Sequence, residues 1–181
     1  MQTMQQSVLS FWFDEIEPKQ WWVKNENFDR RIKERFFDLH RRAAAAELFT
    51  WRKTAPGRLA EILLLDQFSR NMFRGTPAAF AQDVLALVLA QEAVAAGADR
   101  QLNQDQRNFL YMPYMHSESV RIHASAVELF TANGLQSALE YELKHKRIID
   151  RFGRYPHRNA ILGRISSTEE LAFIKQPGSS F

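Results

Sequence analysis

The residues Arg154-Tyr155-Pro156-His157-Arg158-Asn159-Ala160-Ile161-Leu162-Gly163-Arg164 set three arginines, a histidine, an asparagine and a tyrosine around one proline. That is more recognition chemistry than a surface turn needs. Arginine offers a planar fork to carboxylate or phosphate, and Pro156 presets a turn whose following residues are expected to open a helix. His157, Arg158 and Asn159 would then sit in a first turn beside free backbone amides, where an anion is favoured. The competing reading is that acids elsewhere in the fold, such as Asp66, Glu118 and Glu142, take up these arginines.

A second dense stretch, Leu63-Leu64-Leu65-Asp66-Gln67-Phe68-Ser69-Arg70-Asn71-Met72-Phe73-Arg74-Gly75, places polar residues inside an apolar helix. Successive helical residues advance by about 100°. On that wheel Leu59, Ile62, Leu63, Leu65, Phe68, Met72 and Phe73 mark a wide apolar arc, and Asp66, Ser69 and Arg70 fall within it. Asp66 and Arg70 are spaced i, i+4 and are expected to pair. A charge carried into an apolar interface must be paired and hydrogen-bonded. The pair is therefore either an internal brace or the wall of a polar site.

The same test selects His145, which lies in the middle of the arc formed by Ala138, Tyr141, Ile148, Ile149 and Phe152, with Glu142 one turn earlier. Such a histidine serves as a general base or a proton-linked switch, or it is a core residue donating one ring proton to a carbonyl. His123 also lies on the apolar side of its helix, with no obvious polar partner. His116-Ser117-Glu118 sits between two helices, and both ionisable side chains are expected to project into the groove there. Its spacing lacks the i, i+4 pair of a helical zinc site, and neither metal nor cofactor is expected. Glu118 at a helix start also suits the helix dipole.

The elements that position these residues read as helices. No run alternates apolar and polar residues in the manner of a strand. Asn25 is expected to cap a long helix reaching Leu39 or beyond, and Pro56 to occupy the first turn of one ending near Met72. Thr76-Pro77 is expected to open a helix ending at Gly97. Its apolar side chains, Phe80, Val84, Leu85, Leu87, Val88, Leu89 and Val94, surround most of the circumference, which predicts a central, buried helix. Asn103 with Gln106 forms a capping-box pattern for a short helix broken by Pro113. Ser117 or Ser119 starts a helix ending near Gly134, Leu135–Phe152 forms another stopped by Gly153, and Ser167 with Glu170 caps the last. The tail Gln176 to Phe181 is expected to be loose unless Phe181 docks.

With 181 residues, 45% hydrophobic and 25% charged, the chain is long enough for one compact domain with a sizeable core, residues 1–181. The expected class is all-α: antiparallel helical hairpins stacked as a tetratricopeptide-like helical-repeat superhelix, with a closed orthogonal bundle as the alternative. A formal net charge of +3 gives no case for nucleic-acid binding. The absence of cysteine excludes disulfides, thiolate metal sites and cysteine nucleophiles. Met1–Ser10 lacks a secretory pattern, and the stretch Val84–Gly97, interrupted by Gln91 and Glu92, is too short and polar to span a bilayer. The expectation is a cytoplasmic protein with no membrane partner, a homo-oligomer being compatible with it. No nucleophile elbow, phosphate loop or dinucleotide fingerprint is present.

Four ordered motifs, Val8-Leu9-Ser10-Phe11-Trp12-Phe13, Leu63–Asn71, Tyr111–Glu118 and Arg151–Ala160, resemble those of the bacterial domain-of-unknown-function 924 family. The resemblance implies an all-helical, tetratricopeptide-like fold and carries no catalytic residues with it.

Two functional expectations follow from the residues themselves. The first is a binding or adaptor module whose groove, lined by Arg70, His116, Arg154, His157, Arg158 and Asn159, takes an anionic small molecule or an acidic peptide end. The second is a hydrolase or proton-transfer enzyme. Its catalytic candidates are Asp66, His116, Glu118 and His145, with Arg70, Arg154 and Arg158 holding an anionic substrate. A purely structural polar cluster is the third reading.

Overall fold

The computed structural model describes residues 3–180, and among them the regular secondary structure is helical, with no strand. Helix α1 (Met4–Ser10) starts at a capping box between Thr3 and Gln6 and runs into a π turn, Phe11–Glu15. A 3-10 turn, Pro18–Trp22, leads to α2 (Glu26–Ala44), whose Asn25 side chain accepts from the Phe28 amide. Helix α3 spans 55–72: an α segment Ala55–Leu63, a π segment Leu64–Phe68 and a last α turn Ser69–Met72. After the 3-10 turn Pro77–Ala79 come α4 (Asp83–Ala95), α5 (Gln104–Met115), α6 (Val120–Asn133), α7 (Gln136–Phe152) and the short α8 (Thr168–Phe173).

Helix α3 is the hub. Every residue from Leu59 to Ser69 is buried, because α1, α2, α4 and α5 all pack against this one helix. Phe11 and Trp12 from the first π turn enter the same core, where Trp12 meets Phe109 with ring centroids 5.5 Å apart and Phe36 meets Phe68 at 5.0 Å. Helices α5, α6 and α7 pack in chain order, each against the next. Gly134 and Gly153 close α6 and α7 at φ 77° and 68°, the left-handed stop that favours glycine.

Several expectations are corrected here. Thr76-Pro77 opens only a 3-10 turn, and the α-helix proper begins at Asp83. Nor is that helix central. Its alanines Ala86, Ala90 and Ala93 and Leu89 face the core, whereas Val84 is 75% exposed and Val88 46%. An apolar circumference therefore misled: α3 took the central place, with α4 lying against one side of it. By length and composition Pro77–Ala95 is apolar enough to cross a membrane, contrary to the reading of the overlapping segment. Its continuous α-helix, however, is 13 residues, about 20 Å by helical rise against a hydrocarbon core of about 30 Å. Pro113 does not break α5, which continues to Met115. The lost amide lies near the helix end, and residues 108–115 are buried on all sides. Pro156 starts a three-residue 3-10 turn that runs into further turns, so His157, Arg158 and Asn159 do not open an α-helix of their own. The tail is anchored at Ser179, which is buried and donates to the Ile174 carbonyl; the docking of Phe181 lies outside the described residues.

Gly57, in the first turn of α3, marks a close approach. A Cβ there would run into the Trp51 carbonyl oxygen and stand 2.6 Å from Gln5 Oε1. Gly57→Ala is expected to lower the unfolding free energy by about 3 kcal/mol, since backbone cannot yield as a flexible side chain can. Urea denaturation checks this, and wild-type stability in the variant would contradict the packing.

Candidate functional site

Side chains from α3, α4, the end of α5 and the Pro156 turn meet at one place. Asp66 lies in the π segment of α3 and is completely buried. Its Oδ1 accepts from His116 Nδ1 at 2.7 Å and lies 3.2 Å from Arg70 Nη1, while Oδ2 accepts from Gln67 Nε2 at 2.7 Å. The expected Asp66–Arg70 pair is therefore present, with His116 as a third member. Arg70 turns its fork toward Asp83: Nη1 donates to Oδ1 at 2.9 Å and Nη2 to Oδ2 at 3.0 Å. Arg158 Nη1 donates to the same Asp83 carboxylate at 3.1 Å, and its Nη2 to the His116 carbonyl at 3.1 Å. The Arg158 guanidinium is held between two rings, 4.6 Å from the Phe80 centroid and 4.5 Å from that of Tyr155. Its Nε is buried and has no acceptor among the described residues.

The charges balance: Arg70 and Arg158 against Asp66 and Asp83. Burial opposes ionisation of Asp66, but the Arg70 charge and the His116 and Gln67 hydrogen bonds outweigh it and hold the carboxyl well below the usual range. Burial and the Arg70 charge depress His116, only partly offset by Asp66. The ring is thus neutral at pH 7. An ionised Asp66 accepts only, so Nδ1 carries the hydrogen and Nε2 keeps a lone pair. Nε2 has no protein partner among the described residues, and the His116 side chain is 14% exposed. It is the accessible basic atom of the cluster.

The remaining candidates are not brought to that atom. Arg154 is held by Glu170, with Nε and Nη2 donating at 2.7 and 2.8 Å, and this bond with Arg154 holds the Glu170 carboxyl down to about 2. Glu118 is taken by Arg164 at 2.6 and 2.9 Å and by the Tyr155 amide at 2.7 Å, so it is not a free base. Asn159 accepts from Arg164 Nε at 2.9 Å and donates to Ser166 Oγ at 3.0 Å, which fixes the loop. His157 is partly buried, and burial and the Arg158 charge lower it to about 4. His145 donates from Nδ1 to the Tyr141 carbonyl at 2.8 Å, and burial lowers it to about 3, as expected of a core histidine rather than a base. Glu142, read beside His145, instead contacts His123 Nδ1 at 2.7 Å, so His123 does have a polar partner.

Sequence reasoning missed Asp83 and Phe80, whereas Glu118 was among the acids expected to take up an arginine of this segment, and Arg164 is the one it holds. Asp83 was hidden by the helix start placed at Thr76. With α4 beginning at residue 83, an aspartate in its first turn is an ordinary dipole partner. Also missed was His40 Nε2, 2.8 Å from Ser69 Oγ. It has the composition of a nucleophile–base pair, but Ser69 gives its proton to the Leu65 carbonyl at 2.6 Å and is wholly buried. No group of three or more His, Asp and Glu able to hold a metal occurs among the described residues.

Comparison with known proteins supports this architecture without adding chemistry. No match is found among curated proteins. The fold is similar to the solved structure of a protein of unknown function from Agrobacterium tumefaciens, with a TM-score of 0.91 and 38% sequence identity over 95% of this chain and 97% of the other. A family described as bacterial protein of unknown function (DUF924) matches residues 8–178, which is nearly the whole chain, so the protein belongs to that family.

Proposed function

We propose that the protein is an enzyme of the hydrolase or proton-transfer type, in which His116 moves the proton and Asp66 orients it. One observation carries this reading: His116 has Nδ1 tied to a fully buried carboxylate and Nε2 open. That is the base–orienter half of a catalytic constellation. Asp66 fixes the tautomer and stabilises the imidazolium that forms when Nε2 takes a proton from water or from a substrate group. The proton then returns from Nε2 to the leaving group. A π segment is where a helix departs from its regular ladder, and such departures gather at functional sites. Arg70 and Arg158 border the dyad and supply the positive field for an anionic substrate.

The architecture that serves this reading is a single domain folded around α3, with α5, α6 and α7 stacked as tetratricopeptide-like hairpins. A chain without cysteine suits the reducing cytoplasm. A second reading, a binding module without chemistry, draws on Arg158. Its rigid, ring-stacked guanidinium has an unspent Nε donor and fits a carboxylate end or a phosphate.

Diethyl pyrocarbonate tests the dyad without a known substrate. Neutral Nε2 attacks its carbonyl, releasing carbon dioxide and ethanol. Peptide mapping is expected to find His116 the fastest-modified histidine, and Asp66→Asn, while still folded, is expected to slow it about tenfold by loss of orientation. An unreactive His116 in the folded wild type sinks the enzymatic reading. Turnover of generic esters or phosphate esters, lost in His116→Gln, would establish it. Stabilisation of wild type by phosphate or acetate without turnover would favour the binding module.

A further inference from the structure

The backbone that carries His116 is clamped at three successive carbonyls. Tyr155 Oη donates to the Met115 carbonyl at 2.5 Å, Arg158 Nη2 to the His116 carbonyl at 3.1 Å, and His123 Nε2 to the Ser117 carbonyl at 2.8 Å. A helix end leaves its last carbonyls without partners, and water ordinarily serves them. Here three buried side chains replace it, one from α6 and two from the Pro156 turn. Their own freedom is removed in turn. His123 Nδ1 is held by Glu142 on α7 at 2.7 Å, and both side chains are wholly buried. Tyr155 Oη also lies 3.1 Å from His123 Nε2, which links two of the three clamps. Arg158 is pressed between Phe80 and Tyr155.

The bond directions fix the roles. A carbonyl only accepts, so the ring hydrogen of His123 on Nε2 points at Ser117, with Tyr155 Oη as a second acceptor because its own proton goes to Met115. His123 and Tyr155 thus act on the backbone on either side of residue 116 and, among the described residues, make no hydrogen bond to Asp66 or the His116 ring.

We propose that His123 and Tyr155 are positioning residues for His116: they lock the end of α5 so that Nδ1 stays on Asp66 while Nε2 faces outward. This rests on the proton-transfer reading of His116, and it assigns work to a buried histidine and tyrosine outside the site itself. The principle is that outer partners hold a reactive group to its geometry, where small displacements cost rate steeply.

The test is the diethyl pyrocarbonate reactivity of His116, with NMR titration of its ring, in the full chain at a temperature where each variant is fully folded. Tyr155→Phe keeps the ring against Arg158 and removes only the hydroxyl. His123→Phe keeps ring volume and removes its hydrogen bonds to Glu142, Ser117 and Tyr155. In each, His116 is expected to react about tenfold more slowly than in wild type, with a changed titration midpoint. A cap that merely stabilised the helix end would move the melting temperature and leave both readouts alone. Wild-type reactivity and titration of His116 in folded Tyr155→Phe overturns the proposal, and that holds even should His123→Phe fail to fold. The outcomes separate from those of the parent reading: an unreactive wild-type His116 sinks the dyad, whereas a reactive wild type with indifferent variants sinks only the clamp.

Discussion

Asp66→Ala is expected to lose about 3–5 kcal/mol of unfolding free energy, the cost of breaking a buried ion pair from one side. The carboxylate has no exposed surface and serves Arg70, His116 and Gln67 together. Removing it leaves Arg70 with the Asp83 carboxylate and the backbone carbonyl of residue 66, and takes the partner that His116 Nδ1 has among the described residues. The cluster then holds two guanidiniums against one carboxylate in largely buried surroundings. Asp66→Asn is expected to cost less, because an amide oxygen can still accept from His116. Urea titrations of the two variants give the comparison. An alanine variant as stable as wild type would show that the pair is not buried as described. The same ordering bears on the proposed function, since only the milder variant remains folded enough for its His116 to be probed.

Acid is expected to destabilise the protein between pH 7 and pH 5 through its buried histidines. His40, His116, His145 and His157 all have pKa values lowered chiefly by burial, to about 3 for His145 and about 4 for His157. An unfolded histidine takes up a proton near pH 6.5. The folded chain therefore binds fewer protons than the unfolded one below that pH. Stability conferred by these rings is full above pH 6.5 and is lost as pH falls toward the folded values. A ring that stays neutral in the folded state contributes a loss of about 2 kcal/mol between pH 7 and pH 5, so His145 and His157 together contribute about 4 kcal/mol. Glu142 acts with the opposite sign. Burial raises its carboxyl, so it keeps a proton that its unfolded form sheds above about pH 4.3, and it favours the folded state as pH falls. One carboxyl against four histidines offsets only part of the loss. Unfolding free energies at pH 7 and pH 5 should differ by several kcal/mol, on the order of 4. His145→Gln should flatten the slope by about one proton, and a profile flat from pH 7 to pH 5 would contradict the burial of these rings.

The sequence was most informative where local physics decides. Asn25, Asn103 and Ser167 accept the amides of their helix starts, and Gly134 and Gly153 end theirs in the left-handed region. Caps are short-range chemistry between residues a few positions apart, so the helices that carry them could be read directly. The Asp66–Arg70 pair was also legible, because i, i+4 spacing on a helix brings two side chains together whatever surrounds them. The helical wheel was less secure than it looked. The π segment Leu64–Phe68 breaks the 100° step, and α3 is buried all round, so the apolar arc marked no special direction.

What the chain could not disclose is which side chains meet across helices. Arg154 and Arg158 stand four residues apart, yet one is spent on Glu170 and the other stacks between Phe80 and Tyr155 beside Asp83. Glu142 lies nearer in sequence to His145, and packing gives it to His123. Local hydrogen bonding and periodicity determined the all-helical character of this protein and the stretches that carry its polar residues. Only the tertiary packing decided that α3 is the hub, that His116 meets Asp66 with Nε2 left open, and that the arginines are already paired. A capping box is closed within one turn of chain, whereas an ion pair between helices depends on their crossing positions, which the whole core fixes at once.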